Sequence, residues 1–350
     1  MGVSLIEDRK NTQKRVLVIR IGRLGDTILA TAVIEVLQHT FGLDVTIDFA
    51  VSPGASTVLL KLDQRINEVF PVDHRSLAWR LHPAKRALRK HSRSRPYDLV
   101  VNLECGTECD DFIDFVQTSE FCGRPLVQPR HIPGRHCVDT EKTIYADLLG
   151  AEITAAAGPA LKIRPDPEFL SSAAEVAPIV LNPGFSGVLK NDYRSHRAWP
   201  MEHWADLIGI IRQRSGLAVA INGTEDERSY FEPLLALPGV QSLFGSPLQT
   251  LIHALEKAQC LVSVDTGTMH LSAALGTPTV ALFGPTIPEL TGPYSKAVPC
   301  RVLKSSIDCQ PCFRTAEQKQ CRVNRCMQLL KPELVYDTVV SVISDTSRSH

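Results

Sequence analysis

An α/β chain of two doubly wound, Rossmann-like domains facing a central cleft is predicted by three observations. First, Leu261 to Val264 form an apolar run ending in Asp265-Thr266-Gly267-Thr268; apolar residues at helical spacing continue to Leu275, Gly276-Thr-Pro278 interrupts them, and a second apolar run spans Thr279 to Phe283. That is strand, helix, strand with short connections, the unit that pairs parallel strands through a crossover helix. Second, the same order opens the chain, where Arg15-Val-Leu-Val-Ile-Arg20 runs through a glycine loop into helical spacing. Third, 350 residues suit two domains of ordinary size.

The composition narrows the partner classes. Hydrophobic residues make up 44% and charged residues 22%, as in a globular protein. Lys plus Arg equal Asp plus Glu at 38 each, so the overall charge does not point to nucleic acid. No apolar run approaches the roughly 20 residues of a membrane span, and the polar start MGVSLIEDRKNTQKR lacks the apolar core of a signal peptide. A cytoplasmic protein is expected. Of ten cysteines, six are scattered and four cluster as Cys309, Cys312, Cys321 and Cys326, a pattern without a disulfide framework. Four thiols could hold a structural zinc, although gaps of eight and four residues after Cys309-Gln-Pro-Cys312 do not repeat paired knuckle spacing.

The first half reads in order as follows. After the Arg15–Arg20 strand, Ile21-Gly22-Arg23-Leu24-Gly25-Asp26-Thr27 forms the loop, and apolar positions at Ile28, Leu29, Ala32, Val33, Val36 and Leu37 predict a helix to His39. The two glycines lack dinucleotide-fingerprint spacing, and Asp26 places a carboxylate where pyrophosphate would sit, which argues against a nicotinamide or flavin site. Asp26 has two readings: a helix-capping acid, or a general base held at a strand's carboxyl end. Strands are expected at 44–49, 66–72 and 98–103, and helices at 54–62 and 138–149. From His74 to Tyr97 eight Lys or Arg residues occur with no Asp or Glu, either a solvated helix face or a docking surface for an anionic partner. An acidic loop spans Glu104 to Asp111. Arg124, Arg130, His131, Arg135 and His136 mark a loop that could line a cleft, and residues 151–178, without a clear period, are assigned to the linker.

In the second half, Pro178 to Asn182 predicts a strand feeding the Pro183-Gly184-Phe185-Ser186 loop. Lys190, Arg194, His196 and Arg197 precede a helix that starts near Pro200, and cations there are well placed to neutralise a diphosphate. Leu217 to Ile221 reads as a strand ending in Asn222-Gly-Thr-Glu225-Asp-Glu227, whose acids could accept from ribose or base donors or cap the next helix. A short strand at 240–244 and a helix at 248–257 lead into the 261–264 strand. Thr266, Gly267 and Thr268 open a helix whose free N–H groups and dipole favour a phosphate, with Asp265 and His270 beside them. A terminal helix is expected over 331–343.

Three segments together, RIGRLGDTILATAVI, NPGFSG followed by RAWPMEHWADLI, and VSVDTGTMHLSAALGTPTVALFGPT, resemble the heptosyltransferase family of bacterial lipopolysaccharide core assembly. The resemblance implies a GT-B fold. Residues 1–165 would form an acceptor-binding domain, 179–330 a nucleotide-sugar-binding domain, and 331–350 a terminal helix and tail packing back across the cleft. It implies an inverting, metal-independent transfer of L-glycero-D-manno-heptose from ADP-heptose to the inner core, with no cofactor required for catalysis. By position, Asp26 matches the family's catalytic aspartate. Ser186, Arg197, Glu227, Asp265, Thr266, Gly267, Thr268 and His270 fall in the donor-binding segments; Arg197 stands where the family usually has Lys, and Glu225 competes with Glu227 for the nucleoside role. Arg80, Arg86 and Arg124 are the candidates for an anionic, Kdo- or heptose-containing acceptor, which implies peripheral contact with the cytoplasmic face of the inner membrane. The alternatives are a GT-B transferase with another nucleotide sugar or acceptor, and a non-catalytic sugar-nucleotide-binding assembly protein.

Overall fold

A computed structural model of the chain describes residues 13–73, 82–104, 116–123, 132–164, 178–190, 192 and 195–347. The chain divides into two compact units, Met1–Arg164 and Pro165–His350.

In the first unit, strands β1 (Arg15–Arg20), β2 (Thr46–Val51), β3 (Glu68–Pro71), β4 (Tyr97–Asn102) and β5 (Thr118–Gly123) form a parallel sheet in the order β3-β2-β1-β4-β5. The central strand β1 shows why the layers are doubly wound: all six of its residues are buried, and alternate side chains feed two different cores. Val16 and Val18 pack on one face with Val33 and Leu37, whereas Leu17 and Ile19 pack on the other with Leu88 and Val100. Each such buried aliphatic side chain contributes about 1.5–3 kcal/mol. The helices are α1 (Leu24–Ala30), α2 (Ala32–Phe41), α3 (Ala55–Leu62), α4 (Pro83–Ser94), α5 (Cys137–Leu149) and α6 (Ala151–Ala156).

The helix expected from Ile28 starts four residues earlier and is divided at Thr31. The Thr31 hydroxyl donates to the Ile28 carbonyl at 2.7 Å and accepts the Ala160 N–H at 3.2 Å, so a local back-bond and a distant chain segment meet there. Asp26 therefore lies inside the first helical turn rather than in the preceding loop. The start of the expected linker is also structured: α6 occupies 151–156, and a bridge between Asp63 and Ile163 ties the following segment to the first unit.

Near the sheet's amino edge a buried polar network fixes β1, β2 and β4. Fully buried Asp48 accepts from Arg15 Nη2 at 3.3 Å, Asn67 Nδ2 at 2.8 Å, Tyr97 Oη at 2.8 Å and the Glu68 N–H at 3.1 Å. Burial first, then the Asp48 charge, pushes the Tyr97 phenol far above its ordinary value, so it stays a donor.

In the second unit, β6 (Ile179–Asn182), β7 (Val219–Ile221), β8 (Val240–Ser242), β9 (Cys260–Val264), β10 (Thr279–Phe283) and β11 (Cys300–Lys304) form a parallel sheet in the order β11-β10-β9-β6-β7-β8. Its helices are α7 (Met201–Ser215), α8 (Arg228–Leu235), α9 (Leu248–Lys257), α10 (Gly267–Leu275), α11 (Pro288–Thr291), α12 (Ala316–Gln320), α13 (Arg325–Gln328) and α14 (Pro332–Ser347). One face holds a large core in which Trp204, Leu207 and Ile211 of α7 meet Val335, Val339 and Val342 of the terminal helix α14 and Val262, Val264, Val280 and Leu282 of the strands. Among the described residues no helix is long and apolar enough to cross a membrane.

Candidate active site

Parallel sheets carry ligands at the carboxyl ends of their strands, and both units gather charged side chains there. In the first unit the carboxyl end of β1 leads through Gly22 to α1. Asp26 is the third residue of α1, and its Oδ2 accepts the Arg23 N–H at 2.9 Å, the bond of a capping acid. Its Oδ1 lies 3.4 Å from Arg20 Nη2, and the side chain is 24% exposed, so it is both held and reachable. Gly22 makes room for this: a Cβ there would lie 2.6 Å from the Asp26 Cβ and 2.8 Å from Oδ2. The capping and proton-accepting readings thus describe one carboxylate, with one oxygen assigned to the helix start and the other turned toward Arg20.

In the second unit, the carboxyl end of β9 delivers Asp265, Thr266, Gly267 and Thr268 together. Thr266 is the N-cap of α10, its hydroxyl accepting the Thr268 N–H at 3.0 Å, and the first turn of α10 contains no acid. Arg197 reaches this point from the segment before α7: its Nε lies 3.4 Å from Asp265 Oδ2, and its Nη1 donates to the Asp265 carbonyl at 3.1 Å. A helix start without acids favours anions, and Arg197 adds a cation there that is shared with the Asp265 carboxylate. His270 is buried one turn into the helix. His196, next to Arg197, has its imidazole held below the ordinary value by burial, against the opposing pull of Asp192.

A second group forms at the carboxyl ends of the neighbouring strands β6 and β7. Glu227 is buried, and its Oε2 accepts the Thr224 N–H at 2.9 Å. The carboxylate lies against Gly184, where a Cβ would be 2.5 Å from Oε2. Asn182 Nδ2 donates to the Gly184 carbonyl at 3.1 Å, and Asn222 Nδ2 donates to Asn182 Oδ1 at 2.6 Å, which fixes the loop. Glu225 differs: it is exposed and paired with Arg228 at 2.7 Å, a bond that also lowers its pKa. The structure thus turns Glu227, not Glu225, toward the loop after β6. Ser186 is exposed on that loop, apart from these bonds.

Sequence reading missed Phe313. Its ring lies 5.3 Å from the Arg197 guanidinium carbon, within cation–π range. The loop that carries it is pinned by the Cys312 and Phe313 N–H groups donating to the Pro285 carbonyl at 3.0 and 2.9 Å, and by Gln310 Nε2 donating to the carbonyls of Phe283 and Gly284. An aromatic inside a cysteine-rich segment gives no sequence signal for such a partner.

Among the described residues no group of three or more His, Cys, Asp and Glu is placed to hold a metal ion. Cys309 is exposed, whereas Cys326 is buried in the apolar core with Met327 and Leu330. The thiols remain neighbours: burial, then the nearby Cys309 and Cys321, raise the Cys312 thiol above its ordinary value.

Of the acceptor candidates, Arg80 and Arg124 lie outside the described residues, as do Arg194, Arg130 and His131. Arg86 is exposed on α4, with Arg89, Lys90 and Arg93 also exposed and no acid within the helix. Leu88 and Ser92 are buried, and His91 Nε2 lies 3.2 Å from Asp48 Oδ2, so the basic side faces outward from an anchored helix.

Comparison with known proteins gives a consistent result. The model of a family described as glycosyltransferase family 9 (heptosyltransferase) matches residues 130–322. Lipopolysaccharide heptosyltransferase 1 of Escherichia coli K12 is 24% identical over 315 residues, covering 84% of this chain and 95% of that protein. The heptosyltransferase 1 of Pseudomonas aeruginosa is 31% identical over 183 residues, covering 52% of this chain and 48% of its own length. Among solved structures, a glycosyl transferase family 9 protein from Veillonella parvula aligns with a TM-score of 0.74 at 20% identity, covering 95% of this chain and 97% of that one. The E. coli ADP-heptose lipopolysaccharide heptosyltransferase II aligns at 0.70 and 19% identity, with 95% and 99% coverage.

Proposed function

The chain belongs to glycosyltransferase family 9, the heptosyltransferases, and from that premise we propose that it transfers L-glycero-D-manno-heptose from ADP-heptose to an anionic sugar of the lipopolysaccharide inner core, with inversion. The observation that carries this reading is the anion site at the carboxyl end of β9, where Arg197 stands beside the acid-free start of α10. Relatives spanning most of the chain are lipopolysaccharide heptosyltransferases, and one similar solved structure is described as a heptosyltransferase with ADP.

The residues divide the reaction between them. An acceptor hydroxyl oxygen forms a bond to the anomeric carbon as the bond from that carbon to the diphosphate breaks, and the hydroxyl proton passes to Asp26. The departing ADP takes the electron pair of the broken bond as negative charge. Arg197 and the free N–H groups at the start of α10 meet that charge with donors already in place. Glu227 accepts hydrogen bonds from nucleoside hydroxyls, and Asp265 holds Arg197 in position. With a guanidinium and a helix start at the diphosphate, no divalent ion is assigned to catalysis. The exposed Arg86, Arg89, Lys90 and Arg93 of α4 suit the carboxylates and phosphates of an inner-core acceptor lying on a membrane surface.

The test is ADP release from ADP-heptose by the purified chain in EDTA, with and without deacylated Kdo-containing or heptose-containing acceptors. Acceptor-dependent release that Asp26→Ala abolishes, while donor affinity stays nearly intact, is the expected result. Saturable donor binding without turnover on any acceptor would refute transfer to the inner core. Absence of binding would refute the donor.

A further inference from the structure

We propose that Arg20 is the positioning residue of the catalytic carboxylate, fixing the orientation of Asp26 toward the acceptor hydroxyl; this rests on the reading of Asp26 as the base. Arg20 ends β1 and is 2% exposed, an unusual burial for a guanidinium. Its fork is held from three other elements. Nη1 donates to the Leu103 carbonyl at 3.1 Å and lies 3.4 Å from Glu104 Oε1, at the carboxyl end of β4. Nη2 lies 2.9 Å from Glu141 Oε1 on α5 and 3.4 Å from Asp26 Oδ1 on α1.

The anchors are themselves rigid. Glu104 Oε1 also accepts the Ile21 N–H at 2.7 Å, and Glu141 is buried on a helix whose Tyr145 and Leu149 belong to the first unit's core. A planar guanidinium gripped on two sides has no rotamer freedom left to follow Asp26, so Asp26 must conform to it. With Oδ2 on the Arg23 N–H and Oδ1 on Arg20, both oxygens of the carboxylate are directed, and its plane is set before any acceptor arrives. A free carboxylate in a first helical turn would rotate about two side-chain torsions, and misorientation of a base costs rate rather than binding.

The charge balance fits positioning better than neutralisation. Among the described residues the carboxylates of Asp26, Glu104 and Glu141 share the Arg20 guanidinium, so its charge is divided among three acids rather than devoted to Asp26.

The experiment compares wild type, Arg20→Gln and Arg20→Lys for kcat with a core acceptor and for ADP-heptose affinity, on samples whose thermal melting is recorded. The Gln variant is expected to lose about ten- to a hundredfold in kcat with donor affinity unchanged, and the Lys variant, which restores the cation without the planar fork, to recover only part of that loss. A Gln variant with kcat within about twofold of wild type would overturn the proposal, as would Gln and Lys variants equally inactive with donor affinity also lost, since that marks a purely structural role. Should the Gln variant not fold, Glu141→Gln frees the guanidinium from its α5 anchor while keeping its charge. There a fall in kcat at constant donor affinity supports positioning, and unchanged kcat overturns it. A wild-type chain that turns over no acceptor would instead refute the functional reading, before any variant is made.

Discussion

Removing the Glu227 side chain should weaken ADP binding and fold stability by amounts that can be measured separately. The carboxylate is 6% exposed, its Oε2 accepts the Thr224 N–H at 2.9 Å, and it lies against Gly184. Glu227→Ala deletes that capping bond and leaves a partly buried N–H without its acceptor, which together cost about 1–3 kcal/mol. For a unit of this size that corresponds to a melting temperature lower by about 2–12 °C. On the binding side, one hydrogen bond to a charged group is worth about 1.5–3 kcal/mol, so ADP affinity should fall about 10- to 150-fold. Calorimetric titration with ADP and a thermal melt of the same sample separate the two effects. Gly184→Ala provides the control: its Cβ would stand 2.5 Å from Oε2, so the carboxylate must leave its place while remaining in the protein. It should therefore weaken ADP binding in the same direction. An ADP dissociation constant for Glu227→Ala within about twofold of wild type, with the melting shift present, would show that Glu227 only caps the turn.

Two further outcomes are expected. Arg197→Ala should raise the ADP-heptose dissociation constant at least about tenfold by removing a buried-side cation from the diphosphate, and Phe313→Ala should raise it by less, about twofold to fivefold, through loss of the stacking contact; titration of both variants checks the order, and a larger effect at Phe313 would refute it. Burial pushes the Cys300 thiol up to about 11, above the roughly 8.5 of an unfolded chain. The folded state thus favours the protonated thiol, so its contribution is complete below about pH 8.5 and is lost as pH rises through 11. Melting temperature should fall over that window in the wild type, and Cys300→Ala should flatten the fall.

Much of this arrangement was legible because strongly buried elements leave strong patterns. The Arg15–Arg20, Leu261–Val264 and Thr279–Phe283 runs are buried along their length, and continuous burial requires continuous apolar sequence. The edge strands β5 and β11 were not expected, since half or more of the β11 side chains face solvent and need not be apolar. The start of α1 was misplaced for a related reason. Leu24-Gly25-Asp26 carries a glycine and no helical period, and what makes it helical is the packing of the following turn, where Thr27 to Ala30 are buried. The choice between Glu225 and Glu227 could not be read from spacing alone. It is decided by which carboxylate meets Gly184, a contact between residues far apart in the chain, while the other pairs locally with Arg228.

The two units use one sequence device for opposite electrostatic ends. Each runs a buried strand through a short loop into a helix, with a glycine and an aspartate near the junction. After β1 the aspartate falls inside the helix's first turn, where its charge offsets the positive end of the helix and makes the site a poor host for phosphate. What remains there is a carboxylate oriented by the Arg23 N–H and Arg20, the group to which the proposed function gives the acceptor's proton. After β9 the aspartate falls before the N-cap and is engaged by Arg197, so the first turn of α10 keeps its positive end and gains a cation beside it. A shift of a few residues in where the acid meets the helix start therefore separates a proton acceptor from an anion site. This separation follows from charge and helix geometry in each unit alone. Under the proposed function the base then falls in the first unit and the diphosphate in the second, and moving an acid into the first turn of α10, as in Thr268→Asp, should abolish ADP binding measured by calorimetric titration while leaving thermal stability nearly unchanged.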